Sequence, residues 1–233
     1  MTEEVVTKGI ILSSAPQGEY GLRLSVLTDR LGRITVFAAG ARKQGSRLMG
    51  AVRPMTAAAF SLIRGKQAWT LRQADVMDSF GELTADYDLS VYAAYVLELG
   101  GYFSEEGLPE EDSRAMLNLM FLTLDALRRG RFPAELIRRI YELRMLVISG
   151  EYSTEPESET NAAAVRLWHF AVAAPLGKLY RSAERMMENA AGEKPAGADK
   201  EALTEFAGNV ERLFRRQITH RFRSEKMLEL SDI

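Results

Sequence analysis

The sequence predicts an α+β protein in which a five-stranded β-barrel precedes an α-helical bundle. Up to about Met77 the chain consists of short apolar runs between turn signals, the pattern of an all-β module. From Ser79 onward the apolar residues recur at helical spacing. The length of 233 residues also exceeds the roughly 100 to 150 residues of a typical domain. We therefore expect two domains, residues 1–79 and residues 80–233.

The β-rich part contains five predicted strands, at residues 5–13, 21–28, 33–39, 55–64 and 68–76. The segments 29–32 and 65–66 have the composition of hairpin turns. Alternation at Ile34, Val36 and Ala38 indicates a strand that buries one face. An open sheet of such short strands would leave its edges exposed, so we expect a closed barrel, either of OB or of SH3-like type.

The helical part contains predicted helices at residues 83–103, 113–129, 134–149, 162–174 and 182–191, and a long last helix that begins at Asp199 and includes Phe222. Gly130 and Gly150 are predicted to cap two of these helices. The acidic segment 151–161, EYSTEPESETN, is predicted to be a loop.

Composition excludes several classes of protein. Apolar residues make up 46% and charged residues 27%, which is the balance of a globular chain rather than a disordered one. No apolar run approaches the ~18 residues of a membrane span, and the first eight residues carry acids instead of a basic leader. We expect a cytoplasmic protein. The absence of cysteine excludes disulfides, thiolate catalysis and cysteine-based zinc sites.

Motifs for catalysis are missing as well. Gly40 and Gly45 have the spacing of a phosphate-binding P-loop, but the lysine that must follow the second glycine is absent. The two histidines, His169 and His220, have no spacing that pairs them into a metal site. We therefore expect no enzyme activity, no cofactor and no metal.

Positive charge is concentrated at the start of the chain. Residues 1–79 hold 11 lysines and arginines against 6 acids, a net charge of +5, and the remainder carries −7. The segment 39–53 contains no acid and mixes glycines with four cations, Arg42, Lys43, Arg47 and Arg53. Glycines allow a ligand to approach the backbone closely, and cations neutralise phosphates. This segment is predicted to bind nucleic acid.

Further residues extend the predicted DNA-binding surface. The hairpins contribute four more cations, Arg33, Arg64, Lys66 and Arg72. Among the barrel aromatics, Tyr20 lies in a turn and is the best candidate for stacking on a base. A second basic patch is predicted on one face of the last helix, opposite its apolar stripe, at Arg212, Arg215, Arg216 and Arg223.

Several motifs together resemble the RecO family of DNA repair and recombination mediators. They are GEY before a leucine-rich strand, the GARKQGSR loop at residues 40–47, and the RG turn at residues 64–65 before an aromatic residue and QAD. Weaker likenesses follow at residues 92–101, 174–180 and 221–228. Many RecO proteins carry a four-cysteine zinc module where this chain has the loop 151–161, so no metal is carried over.

The resemblance implies an N-terminal OB-fold, binding to single- and double-stranded DNA, and ATP-independent annealing of complementary strands. It also implies cooperation with RecR in loading RecA onto strands coated by single-strand binding protein, and hence a location at the nucleoid. A protein-interaction adaptor without direct DNA binding remains the alternative.

The tail of single-strand binding protein would need an apolar pocket rimmed by cations. The helix 134–149 offers three apolar residues and three arginines for this pocket, Leu136, Ile140, Leu143, Arg138, Arg139 and Arg144. The cations at residues 212, 215 and 216 are the alternative rim.

Overall fold

The computed structural model describes residues 4–66, 68–131, 133–180 and 196–231. The strands are β1 (Glu4–Gln17), β2 (Gly21–Thr28), β3 (Arg33–Ala38), β4 (Ala57–Arg64) and β5 (Trp69–Asp78). The helices are α1 (Tyr87–Phe103), α2 (Glu110–Arg129), α3 (Ala134–Ile148), α4 (Ala162–Ala173), α5 (Ala196–Gln217) and α6 (Arg223–Ser231). Short 3-10 helices cover Gly81–Ala85 and Leu176–Lys178. The predicted α+β class is confirmed.

The five strands close into a barrel in the order β1, β2, β3, β5, β4. All neighbours are antiparallel except β3 and β5, which run parallel where Val36 pairs with Trp69. The long strand β1 pairs with β4 through its first half and with β2 through its second half, with a bulge between Ile11 and Ser13. A bulge bends a strand, so the single strand β1 can pair with β4 on one side and with β2 on the other and close the barrel. This is the topology of an OB-fold, and it decides between the two predicted barrel types.

The barrel and the helices share part of their apolar core. The inside of the barrel is filled by residues such as Val26, Val36 and Phe60. A second and larger cluster includes Ile10 and Leu12 of β1 together with the buried faces of the helices. The two parts of the chain therefore pack against each other over apolar surface. The division into domains at residue 79 stays a prediction.

The helix α3 lies at the centre of the helical part. Every residue from Leu136 to Leu146 is buried, and α3 packs against α1, α2, α4 and α5. A helix that is buried all round cannot present an outer face to a partner. Within the described ranges, no helix combines the length and the apolar character that a membrane span requires.

The predicted last helix is wrong in its extent. The helix α5 is described from Ala196, so Asp199 lies inside it instead of capping it, and α5 ends at Gln217. A separate helix, α6, starts at Arg223. The carboxylate of Glu98 on α1 accepts hydrogen bonds from the backbone N–H groups of Arg223 and Ser224, both at 3.0 Å, and so caps the new helix.

The first predicted helix is also divided. Residues 81–85 form a 3-10 helix, and α1 begins only after Asp86, whose side chain accepts a hydrogen bond from the N–H of Leu89. The glycine caps are confirmed, because Gly130 and Gly150 follow α2 and α3 with positive φ. The predicted helix 182–191 lies outside the described residues.

Candidate nucleic-acid interface

The turn between β1 and β2 meets the start of the connection between β3 and β4. The N–H of Arg42 donates a hydrogen bond of 2.9 Å to the carbonyl of Tyr20. The ammonium of Lys43 lies 5.5 Å from the centroid of the Tyr20 ring, within the range of a cation–π contact. The Tyr20 side chain stays 45% exposed. The Tyr20 ring is therefore accessible, as its turn predicted, and it lies beside the ammonium of Lys43.

The connection 39–56, called the basic loop from here on, is anchored at both ends. Ala41 and Val52 are buried in the barrel core, and successive turns close with hydrogen bonds such as Lys43 N–H to Gly40 carbonyl at 3.0 Å. Gly40 and Gly45 have φ of 69° and 75°, which favours glycine at both positions. The segment is thus a series of turns on a fixed base rather than an open chain.

The cations of the basic loop all face solvent. They are Arg42, Lys43, Arg47 and Arg53. None of the four forms an ion pair with an acid of the described residues. Lys66 and Arg72 are exposed in the same way. Because no acid of the described residues pairs with these six groups, they can bind phosphate without first breaking an ion pair.

Two of the predicted DNA-binding cations are engaged instead with the connection between α1 and α2. The Nε of Arg33 donates to the carbonyl of Ser104 at 2.9 Å. The guanidinium of Arg64 lies 2.7 Å from Glu106 and 4.8 Å above the ring of the buried Trp69. These contacts bring an acidic segment against one side of the barrel, and no local pattern in the sequence predicts them.

The backbone of the same connection forms hydrogen bonds with the unpaired edge at the start of β3. Gly32 and Glu106 form an isolated antiparallel bridge, and the N–H of Arg33 donates to the carbonyl of Glu105 at 3.0 Å. Since β3 pairs with β5 only at Val36 and Phe37, this part of β3 would otherwise be an open edge. The barrel cations therefore form two groups, one free on the basic loop and one partly neutralised at the β3 edge.

A shallow cavity of about 350 Å³ opens beside the basic loop. It is lined by the end of β1, the start of β2 and the end of β3 with the residues that follow it: Gln17, Gly21, Leu22, Phe37, Ala38, Ala39 and Gly40. The side chain of Phe37 is half-buried. The cavity is called the rim groove below.

The second predicted basic patch does not form a continuous ridge. Arg212 and Arg216 both pair with Glu157 of the loop 151–161, the first at 3.3 Å. Arg215 pairs with the buried carboxylate of Glu225. Arg223 belongs to α6, beyond the end of α5. The four arginines were predicted to share one helix face because the last helix was expected to be continuous. The helix ends at Gln217, so Arg223 does not lie on that face.

The receptor predicted on α3 is wrong because its side chains lie inside the protein. Its three apolar residues are at most 5% exposed and belong to the core: Leu136, Ile140 and Leu143. Its three arginines are buried too: Arg138, Arg139 and Arg144. The first two pair with Glu142 at 2.9 and 3.0 Å, and the third donates to backbone carbonyls of α4.

Glu142 is the centre of this buried network. It is fully buried, and Tyr95 donates a further hydrogen bond to it at 2.6 Å. Burial alone would raise the pKa of Glu142, but Arg139, Arg138 and Tyr95 together hold that pKa below its ordinary value. The arginines of α3 therefore compensate internal charge and are not available to a partner.

The histidines take part in side-chain contacts. His169 lies 2.6 Å from Glu155, and His220 stacks on Tyr102 with ring centroids 5.3 Å apart. Among the described residues, no cluster of three metal-ligating side chains occurs. The loop 151–161 is instead held by side-chain hydrogen bonds, of which two join Asn209 to the backbone of Ser158 at 2.9 and 3.0 Å.

Residues 1–80 match the family model described as recombination protein O N terminal. The DNA repair protein RecO of Alkaliphilus metalliredigens is 32% identical over 146 residues, which cover 63% of this chain and 58% of that protein. The DNA repair proteins RecO of Caldicellulosiruptor bescii and of Dehalococcoides mccartyi strain CBDB1 are 33% and 36% identical, over 58% and 55% of their lengths. The chain thus aligns with little more than half of each relative. The resemblance predicted from the sequence is confirmed.

Proposed function

We propose, from the premise that residues 1–80 belong to the RecO N-terminal family, that this protein is a DNA repair and recombination mediator. It binds single- and double-stranded DNA through the barrel and anneals complementary strands without ATP. It is not an enzyme, because annealing breaks no covalent bond. Cations that screen two polyanions from each other are sufficient to bring the strands together.

This proposal rests on the cations of the basic loop beside Tyr20, which are exposed and pair with no acid of the described residues. Arg42 and Lys43 are placed by backbone contacts of the barrel, so their positions do not depend on a ligand. Phosphate contacts of this kind read no sequence, and an exposed aromatic ring stacks on any base. The proposed binding is therefore independent of sequence.

The two groups of barrel cations have different proposed roles. The cations of the basic loop, with Lys66 and Arg72, are the primary phosphate ligands. Arg33 and Arg64 contribute only when DNA competes with the connection between α1 and α2. The second basic patch contributes least, since three of its four arginines already pair with Glu157 or Glu225.

The proposed partners are RecR and the C-terminal tail of single-strand binding protein. With RecR, the protein would load RecA onto strands that single-strand binding protein coats, at the nucleoid. The buried arginines of α3 exclude that helix as the receptor for the tail, so the receptor lies on another surface. Calorimetric titration of a tail peptide into the whole protein tests this partnership, and the absence of heat at micromolar concentrations would contradict it.

The charge reversal R42E/K43E/R47E tests the DNA-binding proposal. Fluorescence anisotropy with a labelled single strand should show nearly complete loss of binding at low salt. The matched control R166E/K178E/K200E makes the same change in net charge at exposed cations of the helical part, and it should keep most of the affinity. If both triple variants bind DNA as well as the unchanged protein, the basic loop is not the binding surface. No binding of DNA by the unchanged protein would favour the adaptor.

A further inference from the structure

The rim groove has the size of a small-ligand site, and no charged side chain lines it. Its volume of about 350 Å³ falls within the range of small-molecule pockets. Six of its seven lining residues are apolar or glycine. A groove of this composition favours a flat and largely apolar group over a charged one.

Phe37 forms the outward-facing aromatic surface of the groove. Its neighbours Val36 and Ala38 are fully buried in the barrel, so alternation along β3 turns the Phe37 side chain outward. Its partner in β2 is the exposed Arg23, which therefore lies on the same face. Because the Phe37 side chain is half-buried, part of it packs against the barrel and the rest is accessible to a ligand.

Positive groups lie beside the groove. Gly40 belongs to both the groove and the basic loop, and the Lys43 side chain passes within 3.7 Å of the position that a Cβ of Gly40 would occupy. Arg23 lies next to Phe37 on the neighbouring strand β2. A strand whose phosphates contact Lys43 and Arg23 would therefore carry a base over the rim groove.

We infer that the rim groove accepts one unstacked base of the strand that the basic loop binds, with Phe37 as the stacking surface. This inference rests on the proposed function and adds a base subsite to it. A base inside a duplex is paired and stacked on its neighbours, so it cannot enter the groove. The subsite consequently favours single strands over duplexes without reading their sequence.

Abasic oligonucleotides separate this subsite from phosphate binding. A labelled thymidine oligonucleotide and an abasic one of the same length carry the same phosphates, so cation contacts alone would bind both equally. With the base subsite, anisotropy should show binding to the thymidine strand that is tighter by at least about fivefold, the lower end of one base–aromatic stack.

Substitution of Phe37 then identifies the groove. F37L keeps an apolar side chain and should reduce the preference for the thymidine strand to the part that Tyr20 contributes, with the salt dependence unchanged. F37W keeps a ring and should retain the preference, while Y152L at an exposed tyrosine of the loop 151–161 is the control. If F37L does not fold, as seen by circular dichroism, Y20L decides the test. The preference for the thymidine strand should persist without Tyr20, and its complete loss would contradict the groove as the subsite.

Two results would overturn the inference in different ways. Equal affinity of the unchanged protein for thymidine and abasic strands, with steep salt dependence, contradicts the base subsite and leaves the proposed function intact. No binding of either strand by the folded protein contradicts the proposed function and the subsite together.

Discussion

The carboxylate of Glu106 lies 2.7 Å from the guanidinium of Arg64, so an acid from the connection between two helices holds a cation of the barrel. Both side chains are about half exposed, which limits the strength of the pair. Even so, a phosphate that approaches Arg64 must compete with Glu106. The helical part of the protein therefore weakens the positive potential of one side of the barrel.

E106Q should strengthen the binding of single-stranded DNA by about two- to fivefold at low salt, because surface ion pairs are worth up to about 1 kcal/mol. The gain should disappear at high salt, where such pairs are screened. Anisotropy titrations measure both values. E111Q removes the same charge from an exposed position at the start of α2 and is the control. Equal effects of E106Q and E111Q would show that net charge, not release of Arg64, is responsible.

E142Q should lower the free energy of unfolding by about 3 to 5 kcal/mol, the range for breaking a buried ion pair from one side. The substitution leaves Arg138 and Arg139 without their shared buried partner. Urea unfolding followed by circular dichroism gives the value. E135Q on the same helix, at a side chain that is 42% exposed, should cost less than about 1 kcal/mol. A loss below about 1 kcal/mol for E142Q would contradict the buried network.

The stability of the protein should fall in acid. Burial would raise the pKa of Glu98, but hydrogen bonds from Ser224 and the backbone of α6 hold it below the ordinary value of 4.5, and the pKa of Glu142 is also lowered. The unfolded chain then binds more protons than the folded chain. The stabilisation is fully present above the unfolded value and is lost as the pH falls through the folded values.

Urea unfolding midpoints measured from pH 7 down to pH 3 test this dependence. The midpoint should stay level to about pH 5 and then decrease, and E98Q should make the decrease shallower because it removes one proton-linked group. A midpoint that is independent of pH over the whole range, or an E98Q variant with an unchanged slope, would rule out the pKa assignments.

The loop 151–161 should be independent of metal. Its attachment to α5 through Asn209 uses two hydrogen bonds to the backbone of Ser158, and Asn209 is buried. Chelator treatment should leave the melting temperature unchanged, and metal analysis should find no stoichiometric zinc. N209A should lower the free energy of unfolding by about 1 to 3 kcal/mol, the cost of unsatisfied buried polar groups. About one zinc per chain, or melting that a chelator shifts, would contradict this account.

The fold was predictable from the sequence because local signals and global topology agree along most of the chain. Each strand was placed to within a few residues, since alternation and turn composition are local properties. The continuous last helix was wrong because its break depends on Glu98, which is 125 residues before Arg223 in the chain. No local pattern around Gln217 reveals a cap that comes from another helix.

The candidate site was predictable only in part. Glycine spacing and the absence of acids identified the basic loop, and Tyr20 followed from its turn. The engagement of Arg64 by Glu106 depends on how the helices pack on the barrel, which spacing cannot show. Glu135 and Glu142 lie three to four residues from Arg138 and Arg139 on the same helix, so the ion pairs of these arginines were predictable from spacing, but their burial was not.

The central claim is that the basic loop binds the phosphates of DNA, and the salt dependence of R42Q/K43Q/R47Q tests it most directly. Anisotropy titrations of a labelled single strand across a salt series give the slope of log affinity against log salt concentration for this variant and for the unchanged protein. Each lost phosphate contact should reduce the slope by about 0.7, so the triple variant should lose about 2 in slope together with affinity. A variant that keeps the slope and the affinity of the unchanged protein would contradict the claim.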